Sequence, residues 1–201
     1  MLGNRKGRMT PPAGSMLEAD ETGEIMVICG GTTDLGQTNL NASAAVVGAP
    51  SREDSGNAAG TRFSDSGSVY VFRREAVSRR WALEVRLTAD DLALSSMLFG
   101  SAVAVSEDGS TVLVGASAAS GGGAAFVFVR DGGASPAEWS REEVLTSATG
   151  SLFGTSVSLS ADGSTAAVGD PEDEGGSLSD AGTATVFSRT GTVWSAGARV
   201  F

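Results

Sequence analysis

The residues best suited to chemistry in this chain are carboxylates gathered in two loops. The stretch GDPEDEGGSLSDAG carries Asp170, Glu172, Asp173, Glu174 and Asp180, and GAPSREDSGNAAGTRFSDSG carries Glu53, Asp54 and Asp65. Ser64-Asp65-Ser66-Gly67 and Ser179-Asp180-Ala181-Gly182 occupy matching places, each directly ahead of a β-type run. Clustered oxygens of this kind suit a hard cation such as calcium, which takes about six to eight oxygen ligands. A solvated acidic loop closed by Asx-turns accounts for the same residues and is the plainer account. The intervening counterpart, Ala118-Ala119-Ser120-Gly121-Gly122-Gly123, has no side-chain ligand to offer, so cation binding is not expected of every loop. Two further acids, Asp108 and Asp162, each precede a glycine in a short polar segment. With one or two carboxylates per segment, they are expected to close turns rather than to hold an ion.

Other chemistry is excluded by composition. The chain has no histidine, which removes His-dependent triads, His general bases and His metal ligands. Its one cysteine, Cys29, lies in the apolar run IMVICGG and reads as a small buried residue. The only lysine is Lys6, and there is neither a phosphate-binding Gly-rich loop ending in Lys-Ser/Thr nor a GxSxG elbow. The acidic loops differ in length, which does not set the ~5–9 Å carboxylate separation of a glycosidase. No enzyme is expected. A net charge of −10 opposes binding to nucleic acid or anionic lipid and favours cationic partners. No apolar run approaches the ~18–20 residues of a membrane span. Arg73, Arg74, Arg79 and Arg80 read as a solvated hairpin tip. Asn41-Ala42-Ser43 is a glycosylation sequon, which matters only in a eukaryotic secretory setting.

The elements that must position these loops are written as a repeat. FGSAVAVSEDGSTVLVGAS starts at Phe99 and FGTSVSLSADGSTAAVGDP at Phe153; a weaker copy, LGQTNLNASAAVVGAP, starts at Leu35. Each copy continues into an aromatic β-type segment (GSVYVFRR, GAAFVFVR, GTATVFSR) and then a tryptophan, Trp81, Trp139 or Trp194. In the middle copy, alternation sets Val103 and Val105 opposite Ala102 and Ala104. Asp108-Gly109 turns the chain, and Thr111 to Ala116 returns with Val112 and Val114 opposite Leu113. Phe126 and Phe128 stand opposite Val127 and Val129, and a fourth strand opens at Trp139. Strands apolar on both faces must be covered on both faces. Four antiparallel strands in a unit of roughly 50 residues describe a β-propeller blade. The fold expected is all-β: a partial propeller of about three four-stranded antiparallel blades, near 35–89, 99–147 and 153–201, within a segment 25–201. The phenylalanines are expected to fill the gaps between blades, the glycines to allow close backbone approach or positive φ, and the tryptophans to pack between blades.

The order FG…DG…VGAP…GSVYVF…W resembles the FG-GAP repeat, the blade unit of the integrin α-subunit propeller. Val47-Gly48-Ala49-Pro50 carries the GAP element intact, while Val114-Gly115-Ala116-Ser117 and Val168-Gly169-Asp170-Pro171 each depart by one residue. The resemblance implies a cell-adhesion or binding module that presents loops to a protein or glycan partner. It also implies an extracellular or cell-surface setting and calcium as the candidate ion. The alternative is a structural portion of a larger propeller protein whose activity lies in other domains. Three blades do not close a ring, so self-association or further blades are expected to complete it. Residues 1–24, basic, then Pro/Gly-rich, then acidic, show no signal-peptide core and are expected to form a disordered arm. Ile25–Cys29 resembles the second strand of a further, decayed copy.

Overall fold

The computed structural model describes residues 25–29, 44–51, 66–75, 78, 80–89, 97–134, 136–148, 151–173 and 182–200. Every regular element among them is a strand, and the strands form three four-stranded antiparallel sheets. Blade one contains β1 (Ile25–Cys29), β2 (Ala44–Ala49), β3 (Ser68–Arg74) and β4 (Trp81–Leu87). Blade two contains β5 (Phe99–Val105), β6 (Thr111–Ala116), β7 (Ala124–Asp131) and β8 (Glu138–Leu145). Blade three contains β9 (Ser156–Leu159), β10 (Thr165–Asp170), β11 (Thr183–Thr190) and β12 (Val193–Val200). In each sheet the strands lie in chain order, as in a propeller blade.

The repeat-based boundary of blade one at residue 35 is corrected by β1. Ile25–Cys29 is the first strand of blade one and not the second strand of another copy: Ile25 pairs with Gly48 and Cys29 with Ala44. Without it, β2 would present an unpaired edge. Leu35-Gly36 therefore follows β1 instead of opening it. In blades two and three the residues facing the Val-Gly glycine are Ala102 and Ser156, each two residues after the Phe-Gly glycine. The same register places Gly23 two residues before Ile25, with Thr22 in the phenylalanine position; both belong to the segment 1–24 and, like the expected arm and Asn41, lie outside the described residues.

Cores lie between the blades. Val46, Val69, Val71 and Leu87 of blade one meet Phe99, Val103, Val105, Val112, Val114, Phe126 and Phe128 of blade two. On the other side, Ala104, Leu113, Ala125, Val127 and Leu145 of blade two meet Phe153, Ala166, Val168, Phe187 and Trp194 of blade three. The face assignments expected from alternation are those observed. β6 is buried at all six positions, as a strand covered on both sides must be.

The Phe-Gly pair joins one blade to the next. Ser101 N donates to Leu98 O and Thr155 N to Leu152 O, while Gly100 and Gly154 have φ of 94° and 93°. That combination is a type II turn with glycine where positive φ is required. Phe99 N donates to Ser66 O (3.1 Å) and Phe153 N to Gly122 O (2.9 Å), so each turn is tied to the preceding blade. The rings are fully buried: Phe99 packs edge-on to Phe126 and Phe128 at 5.3 and 6.0 Å, and Phe153 to Phe187 at 6.1 Å. A Cβ on Gly48 would strike the carbonyl oxygen of Gly100, and one on Gly115 that of Gly154. The Val-Gly glycine of one blade is thus the seat for the Phe-Gly glycine of the next.

Candidate functional site

The two Asp-Gly hairpins connect the first and second strands of blades two and three. Asp108 Oδ1 accepts from Ser106 Oγ (2.6 Å), Ser110 N (2.9 Å) and Ser110 Oγ (2.8 Å). Asp162 repeats the arrangement with Ser160 Oγ (2.5 Å), Ser164 N (3.0 Å) and Ser164 Oγ (2.7 Å). Hydrogen bonds from Ser160 and Ser164 hold the Asp162 carboxyl down at about 2. Burial alone would raise Asp108, but the bonds from Ser106 and Ser110 outweigh it and lower its pKa. Both carboxylates are used within their own turns, and the few oxygens around them do not fit a calcium coordination sphere. The turns also tie neighbouring blades together, since Glu107 N donates to Ala161 O at 2.8 Å.

At the opposite end of blade three, the acidic loop leaves β10 through two buried carboxylates. Asp170 is 1% exposed and accepts from Ser151 N (3.0 Å), Leu152 N (3.2 Å) and Glu172 N (3.3 Å). It fastens the segment that enters blade three to the end of β10, which explains an aspartate where the other copies have Ala49 and Ala116. Asp173, also 1% exposed, is ion-paired to Arg199 and accepts from Thr183 Oγ1 at 2.6 Å. Its backbone carbonyl accepts from Gly182 N, closing the loop's base. Glu172 is exposed. Glu174, Asp180, Glu53, Asp54 and Asp65 lie outside the described residues. Among the described residues, no three acids, cysteines or histidines gather as a metal site would require. Asp170 accepts backbone amides with both carboxylate oxygens, and Asp173 Oδ2 takes the Thr183 hydroxyl and the Arg199 guanidinium.

A third constellation was not anticipated from the sequence. Glu84 of β4 receives Arg130 at 2.6 Å and Trp139 Nε1 at 3.3 Å from blade two, and Arg73 of its own blade at 3.3 Å. Glu142 of β8 receives Arg189 at 2.5 Å and Trp194 Nε1 at 3.0 Å from blade three. The Arg189 guanidinium also stands 6.0 Å from the Trp194 ring centre. Burial would raise the Glu84 carboxyl, but the Arg130 and Arg73 charges and the Trp139 indole outweigh it and lower its pKa. Each Glu lies three residues after a tryptophan, in WALE and WSRE; aligning the copies on tryptophan exposes the signal. The expectation for the arginines is corrected at Arg73, which also donates to the carbonyls of Asp108 and Gly109 across the blade boundary. Arg80 is exposed, as a hairpin tip should be, and Arg79 lies outside the described residues.

These carboxylates hold turns, a loop base and neighbouring blades together through hydrogen bonds and ion pairs. A family model for the FG-GAP repeat matches residues 81–128. That segment carries an FG-GAP repeat. The matched segment begins at Trp81 in β4 and ends at Phe128 in β7, so the repeat unit straddles the boundary between blades one and two and encloses the Phe99-Gly100 seat. Among curated proteins, none matches the chain. No helix among the described residues is long and apolar enough to cross a membrane.

Proposed function

We propose that this FG-GAP repeat chain is a non-catalytic binding module, of the kind used in adhesion, that presents the loops between second and third strands to a protein or glycan partner. The observation that carries the reading is the anchoring of the blade-three loop. Asp170 and Asp173 fix its base, leaving Glu172 exposed and Glu174 and Asp180 as the loop's remaining acids in sequence. A fixed base lowers the ordering cost of binding through the residues it carries. The partner surface that fits is cationic, or neutral and bridged by a divalent ion. Calcium is proposed only for this loop and for the acids of the blade-one loop, Glu53, Asp54 and Asp65; the Asp-Gly hairpins are not candidates.

The test compares the wild-type chain with a Glu172→Gln, Glu174→Gln, Asp180→Asn triple variant. Both are immobilised and exposed to panels of basic proteins and of glycans, with calcium and with chelator. A Glu107→Gln, Glu138→Gln variant serves as the control at the opposite end of the blades. The expected result is a drop of at least about tenfold in capture for the triple variant alone, comparable to the loss of a few charge-assisted contacts. Equal capture by all three proteins would favour a purely structural role for the blades.

A further inference from the structure

The two outward faces of the three-blade stack are unlike each other, and each resembles one half of the interfaces inside it. In both internal interfaces the earlier blade contributes an aliphatic face and the later blade an aromatic one. The earlier face is Val46, Val69, Val71 and Leu87 in blade one, and Leu113, Ala125, Val127 and Leu145 in blade two. Strand register assigns Ala167, Ala184, Val186 and Val200 to the same four positions in blade three. There Val200 is 54% exposed, whereas Leu87 and Leu145 are 4% and 3% exposed. Blade one, in turn, carries a partly exposed aromatic face, with Tyr70 and Phe72 half-buried. Tyr70, Phe72, Trp81 and Leu83 occupy the positions of Phe126, Phe128, Trp139 and Arg141, and Trp81 and Leu83 are 41% and 54% exposed.

The glycine seat is open as well. Gly48 and Gly115 are filled by the Gly100 and Gly154 carbonyls, but at Gly169 only the Ser156 hydroxyl of the same blade approaches. A cavity of about 480 Å³ opens there, lined by Ser156, Gly169, Gly182, Thr183, Ala184 and Val200. Gly182 holds the place of Gly67 and Gly123, which receive the Phe99 and Phe153 carbonyls.

We propose that the open face of blade three is the docking surface for the open face of blade one in a second copy of this chain. The contact is head to tail: it repeats the internal interface, with the face of Ala184, Val186 and Val200 in one copy against Trp81 and Leu83 of the other. Such a heterologous contact closes into a ring when its rotation permits; two copies supply six blades, within the range of propellers.

The test is light scattering on the full chain at micromolar concentration, with Val200→Asp and Leu83→Asp as single variants. Both positions are more than half exposed, so the fold of each variant is expected to be kept, and far-ultraviolet circular dichroism checks this. The wild type should have twice the chain mass of 20.2 kDa, and each variant alone the single mass. Mixing the two variants should restore the doubled mass, because one intact blade-three face then meets one intact blade-one face. A monomeric wild type overturns the proposal, as does assembly that survives Val200→Asp. Failure of the mixture to reassemble also overturns it, since a symmetric face-to-face contact gives that result.

Discussion

Blades two and three carry nearly the same motif, yet their second strands are buried differently. In blade two, TVLVGA is buried at every residue; in blade three, TAAVGD alternates, with Ala166, Val168 and Asp170 buried and Thr165, Ala167 and Gly169 more open. The fourth strands diverge in the same sense. β8 ends in buried Leu145, whereas from Ser195 to Val200 β12 is exposed throughout. The difference comes from neighbours and not from strand propensity. A blade in this fold has no core of its own; it is stabilised by the faces pressed against it, and the Phe-Gly turn is the device that brings a face into place.

That comparison can be broken most sharply at the aromatic plug. Phe99→Ala removes a fully buried ring from the first interface and should cost about 3–5 kcal/mol in urea unfolding. Val193→Ala, on an exposed residue of blade three, should change stability by less than about 0.5 kcal/mol. The ionic link comes next. Glu142→Gln leaves Arg189 without its charge partner, and with Glu142 largely buried but Arg189 partly solvated the loss should be about 2 kcal/mol, smaller in high salt. Gly197→Glu, at the same place in blade three, has no incoming arginine to meet and should not stabilise the monomer.

The smallest effect is the response to acid. Asp162 titrates at about 2 in the folded chain against an ordinary value near 3.8. Its hydrogen bonds therefore stabilise the fold fully above the ordinary value, and that contribution fades as pH falls from there through about 2. Asp108 is lowered too and acts in the same direction. Unfolding followed by tryptophan fluorescence between pH 5 and 2 should show a shallower pH dependence in Asp162→Ala than in the wild type.

Much of this was legible in the sequence, for reasons that also mark where legibility ended. Alternation placed Val103, Val105, Phe126 and Phe128 on one face because a period of two is a strong signal when both faces are apolar. Asp108 and Asp162 were readable as turn residues because each precedes a glycine in a short polar segment with too few carboxylates for an ion. β1 was misplaced because its copy has Thr22 where the others have phenylalanine, so the most visible letter of the motif is missing while the register survives. The Glu84 and Glu142 links were not seen, since an isolated glutamate in a strand resembles any solvated one until the tryptophan and arginine of the next blade converge on it. The packing role of Asp170 was hidden for a similar reason. The amides of Ser151 and Leu152 that occupy it come from a linker nearly twenty residues earlier, beyond the reach of local pattern.

The central claim is that the Val-Gly glycine is a seat for the next blade's backbone, and the most direct measurement is a paired urea denaturation of Gly115→Ala and Gly169→Ala on the Leu83→Asp background, where the chain is expected to be a monomer. A methyl group at Gly115 meets the Gly154 carbonyl, a backbone atom that cannot move without displacing blade three, whereas at Gly169 it meets only the rotatable Ser156 hydroxyl. The predicted result is a loss of about 4 kcal/mol at Gly115 and less than about 1 kcal/mol at Gly169. Equal losses at the two positions would contradict the account.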